Sequence, residues 1–166
     1  ELWYRLYCAI SRCNRAILSL QQYGNDKLGE ETTKQRIAEV RFLRANFYFK
    51  LKMVFNKVPW IDEEVYKNNT QEQTRNDALT SDELWDKIIA DFEDAYNTLP
   101  KTQKDGGRVN KVAAAAYLAK CYLERAWGNG YEDSTGVNFI NKDYMQKVVD
   151  YTDVVANSQY GYLEDY

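Results

Sequence analysis

The chain has 166 residues, with 22 Lys and Arg against 25 Asp and Glu and no His, for a net charge of −3. That length makes one domain able to bury about two-thirds of its unfolded surface, and 45% hydrophobic residues with only two prolines exclude a disordered chain. The charge balance excludes a general nucleic-acid binder, which carries a strong basic excess, and the lack of imidazole removes the commonest general base and metal ligand.

Apolar residues at helical spacing predict a first helix from about residue 1 to Gln22, with Leu2, Leu6, Ile10, Cys13, Ile17 and Leu20 in one stripe and Gly24-Asn25 as its end. A second helix is predicted over about residues 30–55, stopped by Val58-Pro59-Trp60. Within it, Glu39, Arg41 and Arg44 interrupt an aromatic run, 39–49, that is otherwise apolar all round. A helix greasy on every side packs on several sides, so these charges are expected at helix junctions, each with a partner. A polar loop over 68–76 leads to Thr80, which with Glu83 forms a capping box for a third helix. That helix carries Leu84, Trp85, Ile88, Ile89, Phe92 and Ala95, and Pro100 follows its end. Lys104 to Gly107 makes a turn. Asn110 caps a fourth helix running to about Trp127. After a Gly-rich loop, Asn141 caps a fifth, with Tyr144, Val148, Tyr151 and Val155 on its inner face.

No run approaches the roughly 18 apolar residues of a membrane span. Helical periodicity starts at residue 1, and Tyr160 to Tyr166 look extended. The chain is therefore expected to be an excerpt of something longer, with any export or lipidation signal outside it. Cys8, Cys13 and Cys121 form no CxxC pair and sit at helical positions among apolar neighbours. They are expected as buried free thiols, with no metal site and no cofactor.

Aligning the helices exposes an internal repeat. Trp3-x2-Leu6-Tyr7-x2-Ile10 matches Trp85-x2-Ile88-Ile89-x2-Phe92, and Ala38-x3-Phe42-x2-Ala45 matches Ala114-x3-Leu118-x2-Cys121. Large residues on one helix facing small ones on the next is the spacing of tetratricopeptide hairpins, whose axes approach to about 8–10 Å. The expected fold over residues 1–166 is all-α: an alpha-alpha superhelix of tetratricopeptide-like hairpins with long loops. Charge fits that stacking, with a net of +4 over residues 30–57 and −5 over 81–99. Solvated faces that merely differ in sign explain the same pattern, since surface pairs contribute under about 1 kcal/mol each.

The ordered motifs resemble the RagB/SusD family of surface glycan-binding lipoproteins. They are Arg12-Cys13-Asn14, then Glu39-x-Arg41-Phe42-Leu43-Arg44-Ala45-x-Phe47-Tyr48-Phe49, Val58-Pro59, Asp91-Phe92-x2-Ala95-x3-Leu99-Pro100, Gly107-Arg108-x2-Lys111-x-Ala113-Ala114-x-Ala116, and Tyr160-x-Tyr162-Leu163. The resemblance implies a helical scaffold within a longer protein at the outer-membrane surface, held there by a lipid anchor outside this excerpt. It also implies a SusC-like TonB-dependent transporter as partner and an oligosaccharide ligand, captured without bond cleavage.

Glu39, Arg41 and Arg44 could hold an anionic ligand, but tying the second helix to its neighbours is the favoured reading, because removing one member of a buried pair strands the other. Asn14 is expected to bond across helices. Arg108 and Lys111 are expected to meet carboxylates of the acidic third helix. Sugars stack a CH face on an aromatic ring and bond their hydroxyl rim to planar polar groups. Most aromatics lie on helix stripes, so the expected ligand contacts are those in loops: Trp60 and Tyr66 after the second helix, and Trp127 and Tyr131 around Gly128-Asn129-Gly130. A rival glycosidase would need two carboxylates about 5–9 Å apart; Asp91 with Asp94, or Glu63 with Glu64, are the pairs on offer. No Walker, GxSxG or HExxH sequence occurs, leaving ATP chemistry, acyl transfer and zinc proteolysis without support. A generic tetratricopeptide scaffold binding a peptide in its groove is the alternative function.

Overall fold

The apolar stripes close into a stack of six helices in the structure, a computed structural model that describes residues 1–68, 75–128 and 140–160. The helices are α1 (Leu2–Leu28), α2 (Glu30–Phe55), α3 (Glu63–Asn68), α4 (Ser81–Thr98), α5 (Lys111–Gly128) and α6 (Lys142–Ala156), and no strand occurs among the described residues. Packing follows chain order, α1 on α2, α2 on α4, α4 on α5 and α5 on α6, with α3 against α1. This is the all-α superhelical stacking that the repeat spacing implies. Among the described residues, no helix is long and apolar enough to cross a membrane.

The second helix is apolar on every side because it touches α1, α4 and α5. Tyr48 and Leu51 are wholly buried in it, as are Ile10 and Ile17 of α1, Ile88 and Phe92 of α4, and Leu118 of α5. Each such side chain contributes about 1.5–3 kcal/mol on burial. Small residues mark the crossings, with Ala38, Ala45, Ala95 and Ala114 at zero exposure. Between them the ring of Phe42 meets those of Phe92 and Tyr117 edge-on, at 5.2 and 5.3 Å, the geometry aromatic quadrupoles favour.

Local chemistry sets most boundaries. The Thr80 hydroxyl accepts from the Glu83 N–H while the Glu83 carboxylate accepts from the Thr80 N–H, completing the capping box. Asn110 and Asn141 cap α5 and α6 by accepting from the N–H groups of Ala113 and Tyr144.

Two elements differ from expectation. Gly24-Asn25 does not end α1, which continues to Leu28 and stops at Gly29 (φ 81°), the single residue linking it to α2. Gly24 is a packing residue: a Cβ there would lie 2.5 Å from Thr33 Cγ2, so its bare Cα admits α2. The second difference is α3, a six-residue helix in a stretch expected as loop. It lacks an apolar stripe, but Asp62 Oδ1 accepts from the N–H groups of Glu64 and Val65 and starts it.

Candidate functional site

The charges inside the greasy α2 converge on one junction. Arg44 is 3% exposed. Its Nε and Nη2 donate to both carboxylate oxygens of Asp91 on α4, at 2.7 and 2.9 Å. Its Nη1 donates to Asn14 Oδ1 on α1 at 2.8 Å and to the Glu63 carboxylate on α3. Asn14 Nδ2 in turn donates to the Ile61 carbonyl at 2.8 Å. Arg41 adds Asp94 of α4 at 3.2 Å and Glu63 at 3.4 Å. One guanidinium thus joins four helices, and its planar fork suits the bidentate pair. Burial favours the neutral form of Glu63, yet Arg44 and Arg41 overcome it and hold its carboxyl below the usual value. Burial likewise disfavours the Arg44 cation, and Asp91 and Glu63 more than reverse that. Each charged member of the cluster is thus matched within the scaffold, Arg44 by Asp91 and Glu63 and Arg41 by Asp94 and Glu63.

A second node ties the α4–α5 turn to α2. Glu39 accepts from Arg36 at 2.8 Å, from Gln103 at 2.9 Å and from Arg108 at 3.0 Å. This corrects the expectation for Arg108 and Lys111, neither of which meets a carboxylate of the acidic helix. Arg108 bonds Glu39 and Asp105, and Lys111 Nζ lies 4.3 Å from the centroid of the Tyr96 ring. The acidic helix finds its cations elsewhere: Asp91 and Asp94 on α2, and Asp82 and Asp86 on Arg125 of α5.

The four aromatics expected to bind ligand have different environments. Trp60 is 7% exposed, stacked on Tyr48 at 4.2 Å, with the Arg44 guanidinium 5.5 Å from its centroid and its indole N–H donated to Asp62. Only part of the ring lines a groove of about 430 Å³, shared with Asp62, Glu64 and Lys87. Tyr66 is half-buried on α3, not in a loop. Trp127 is 45% exposed in the last turn of α5. Tyr131 lies outside the described residues. Among the described residues, no ring contact joins Trp60, Tyr66 and Trp127.

A larger groove, about 580 Å³, runs between the α4–α5 turn and the end of α6, where Lys101 and Lys111 face Asp153, Gln159 and Tyr160. Sequence reasoning missed it, since nothing in the local pattern places residues 101–111 beside 153–160. Of the thiols, Cys13 and Cys121 are buried and Cys8 is half-buried; all three are free. Burial pushes the Cys13 thiol up to about 11, although Arg44 opposes the rise, which leaves it a poor nucleophile. Among the described residues, no group of three or more His, Cys, Asp or Glu is placed to hold a metal ion.

Comparison with known proteins gives one consistent result. Residues 1–123 match the SusD-like family described as starch-binding and associating with the outer membrane. SusD-like protein P2 of Formosa agariphila is 32% identical over 123 residues, covering 74% of this chain and 23% of its own length. A SusD-like protein of Bacteroides ovatus is 26% identical over 167 residues, covering 99% of this chain and 28% of its own. The chain therefore spans about a quarter of the length of the curated relatives it matches. Among solved structures, one crystallised with a xylogluco-oligosaccharide superposes with a TM-score of 0.76 at 25% identity, over 98% of this chain and 30% of that one.

Proposed function

We propose a function from one premise: the chain belongs to the SusD-like family of starch-binding proteins that associate with the outer membrane. It is the helical framework of a non-catalytic surface protein that captures oligosaccharides and passes them to a SusC-like TonB-dependent transporter. The observation that carries this reading is the family match over residues 1–123, joined by a relative of the same fold holding a xylogluco-oligosaccharide. A lipid anchor outside these residues would hold such a protein at the outer membrane.

The placement of the carboxylates supports capture without cleavage. Asp91 is locked by a bidentate arginine, and Asp94 and Glu63 are each paired with Arg41. A glycosidase acid or base must reach the glycosidic oxygen or a water, and these groups are committed to the scaffold. The rival scaffold reading, peptide capture in a concave groove, has no residue-level observation in its favour.

Within this reading the accessible platform is Trp127, whose exposed indole can stack on a pyranose. Trp60 contributes through the groove it lines with Asp62, Glu64 and Lys87. The test is a titration of the full-length protein against a panel of neutral oligosaccharides, with two variants. Trp127→Ala should weaken binding about tenfold, as expected for a lost stacking contact of about 1.4 kcal/mol, and should leave the melting temperature unchanged. Trp60→Ala should instead cost about 3–5 kcal/mol of stability. Binding of a peptide with no response to any saccharide would sink the proposal.

A further inference from the structure

The groove between the α4–α5 turn and the end of α6 brings two lysines beside an exposed aromatic ring. Lys101 is exposed, and Lys111 leans over the Tyr96 ring. Neither forms an ion pair with a carboxylate among the described residues. What sets them apart is their place: both ammonium groups line one depression that holds a single carboxylate, Asp153. Opposite them is Tyr160, whose ring is 45% exposed yet held in place, because its hydroxyl accepts from Asn110 Nδ2 at 2.9 Å. The same Asn110 caps α5 through its Oδ1, so the tyrosine is anchored to a helix start. Gln159 and Asp153 supply a planar amide and a carboxylate on the α6 side.

We propose that this groove is a second saccharide site, selective for sugars carrying a carboxylate, such as uronic acids. The chemistry assigns each part. A pyranose CH face stacks on the anchored Tyr160 ring, the hydroxyl rim bonds Gln159 and the Asp153 carboxylate, and the sugar carboxylate lies at the lysine end. Asp153 repels an anion and so sets the orientation, while Lys101 and Lys111 supply charge-assisted bonds that a neutral sugar cannot make. The volume of about 580 Å³ fits a short oligosaccharide. The site is remote in sequence from Trp60 and Tyr66 and shares no lining residue with the groove beside Trp60. It rests on the glycan-capture reading only in extending it to a second ligand class.

The test uses the full-length protein and tri-galacturonic acid, with its fully methyl-esterified counterpart as the neutral probe, followed by calorimetry. The acid should bind, and the ester should bind at least about tenfold more weakly, the loss expected when one charge-assisted hydrogen bond is removed. Lys101→Gln with Lys111→Gln, or Tyr160→Ala alone, should weaken the acid by a similar factor at an unchanged melting temperature. Neither change should alter binding of the neutral panel that responds to Trp127→Ala. Equal affinity for acid and ester, no binding of the acid, or lysine variants that bind it as well as the parent would each overturn the site. If neutral glycans bind while the acid does not, this inference fails and glycan capture stands. If the acid binds in a lysine-dependent way while no neutral glycan binds, the site stands and the neutral platform at Trp127 falls.

Discussion

Arg44 is a scaffold residue because geometry leaves its cation nothing else to bind. The bidentate Asp91, Asn14 and Glu63 take up its nitrogens, and truncating either carboxylate would leave buried charge uncompensated. Glu63 gives the sharpest test. Its carboxyl is held below the usual value in the fold, so its contribution is complete above the unfolded value and is lost as pH falls through the folded one. Burial raises Asp91, and the neighbouring Glu63 charge adds to the rise, so the difference between parent and Glu63→Gln reads the two coupled carboxyls together. Urea denaturation should therefore show Glu63→Gln less stable by about 3 kcal/mol at neutral pH. That gap should shrink as pH falls below the ordinary carboxylate range and through the lower folded value of Glu63, where the parent carboxylate is itself protonated. A gap of the same size at the acid end would show that ionised Glu63 is not what the arginines need.

At the scale of elements, α1 and α2 meet across a contact that one glycine permits. Ala is favoured over Gly inside a helix by about 1 kcal/mol, so Gly24 would be a fault if α1 stood alone. Against α2 it is required, because the methyl and hydroxyl of Thr33 occupy the space a Cβ would need. Gly24→Ala should lower stability by about 1–3 kcal/mol through overpacking. In a Thr33→Ala background the same substitution should come close to neutral, a coupling that a double-mutant cycle reads directly. Additive losses would show that the two helices do not touch there.

Across the whole molecule, stability is graded along the stack. The second helix is enclosed by α1, α4 and α5, whereas α6 leans on α5 and has no fully buried residue. Its Tyr144 and Tyr151 pack on Tyr122 with one side still open. Local opening follows burial and contact, so amide hydrogen exchange of this chain should show α6 exchanging first and the centre of α2 last. Equal protection of the two helices would contradict the graded stack.

How much of this was legible from sequence depended on the range of the forces involved. The capping chemistry of Thr80, Asn110 and Asn141 and the periodic stripes act within a few residues, so the long helices and the all-helical class could be read directly. The family followed from motifs that are themselves mostly scaffold, and the expectation that charges in α2 have partners held for the same reason. What the chain could not show was which partner each group finds across the stack. Gly24 looked like a stop because its neighbour Thr33 is visible only once α2 folds back. Trp60 does lie in a loop, but it looked open to ligand because the Tyr48 ring that covers it belongs to another element. Arg108 reached Glu39 instead of the acidic helix, and Lys101, Lys111 and Tyr160 came to one groove, because side-chain encounters between helices depend on crossing geometry. Local sequence determined the helices and the family; only tertiary packing decided which aromatics were covered and which cations were left open.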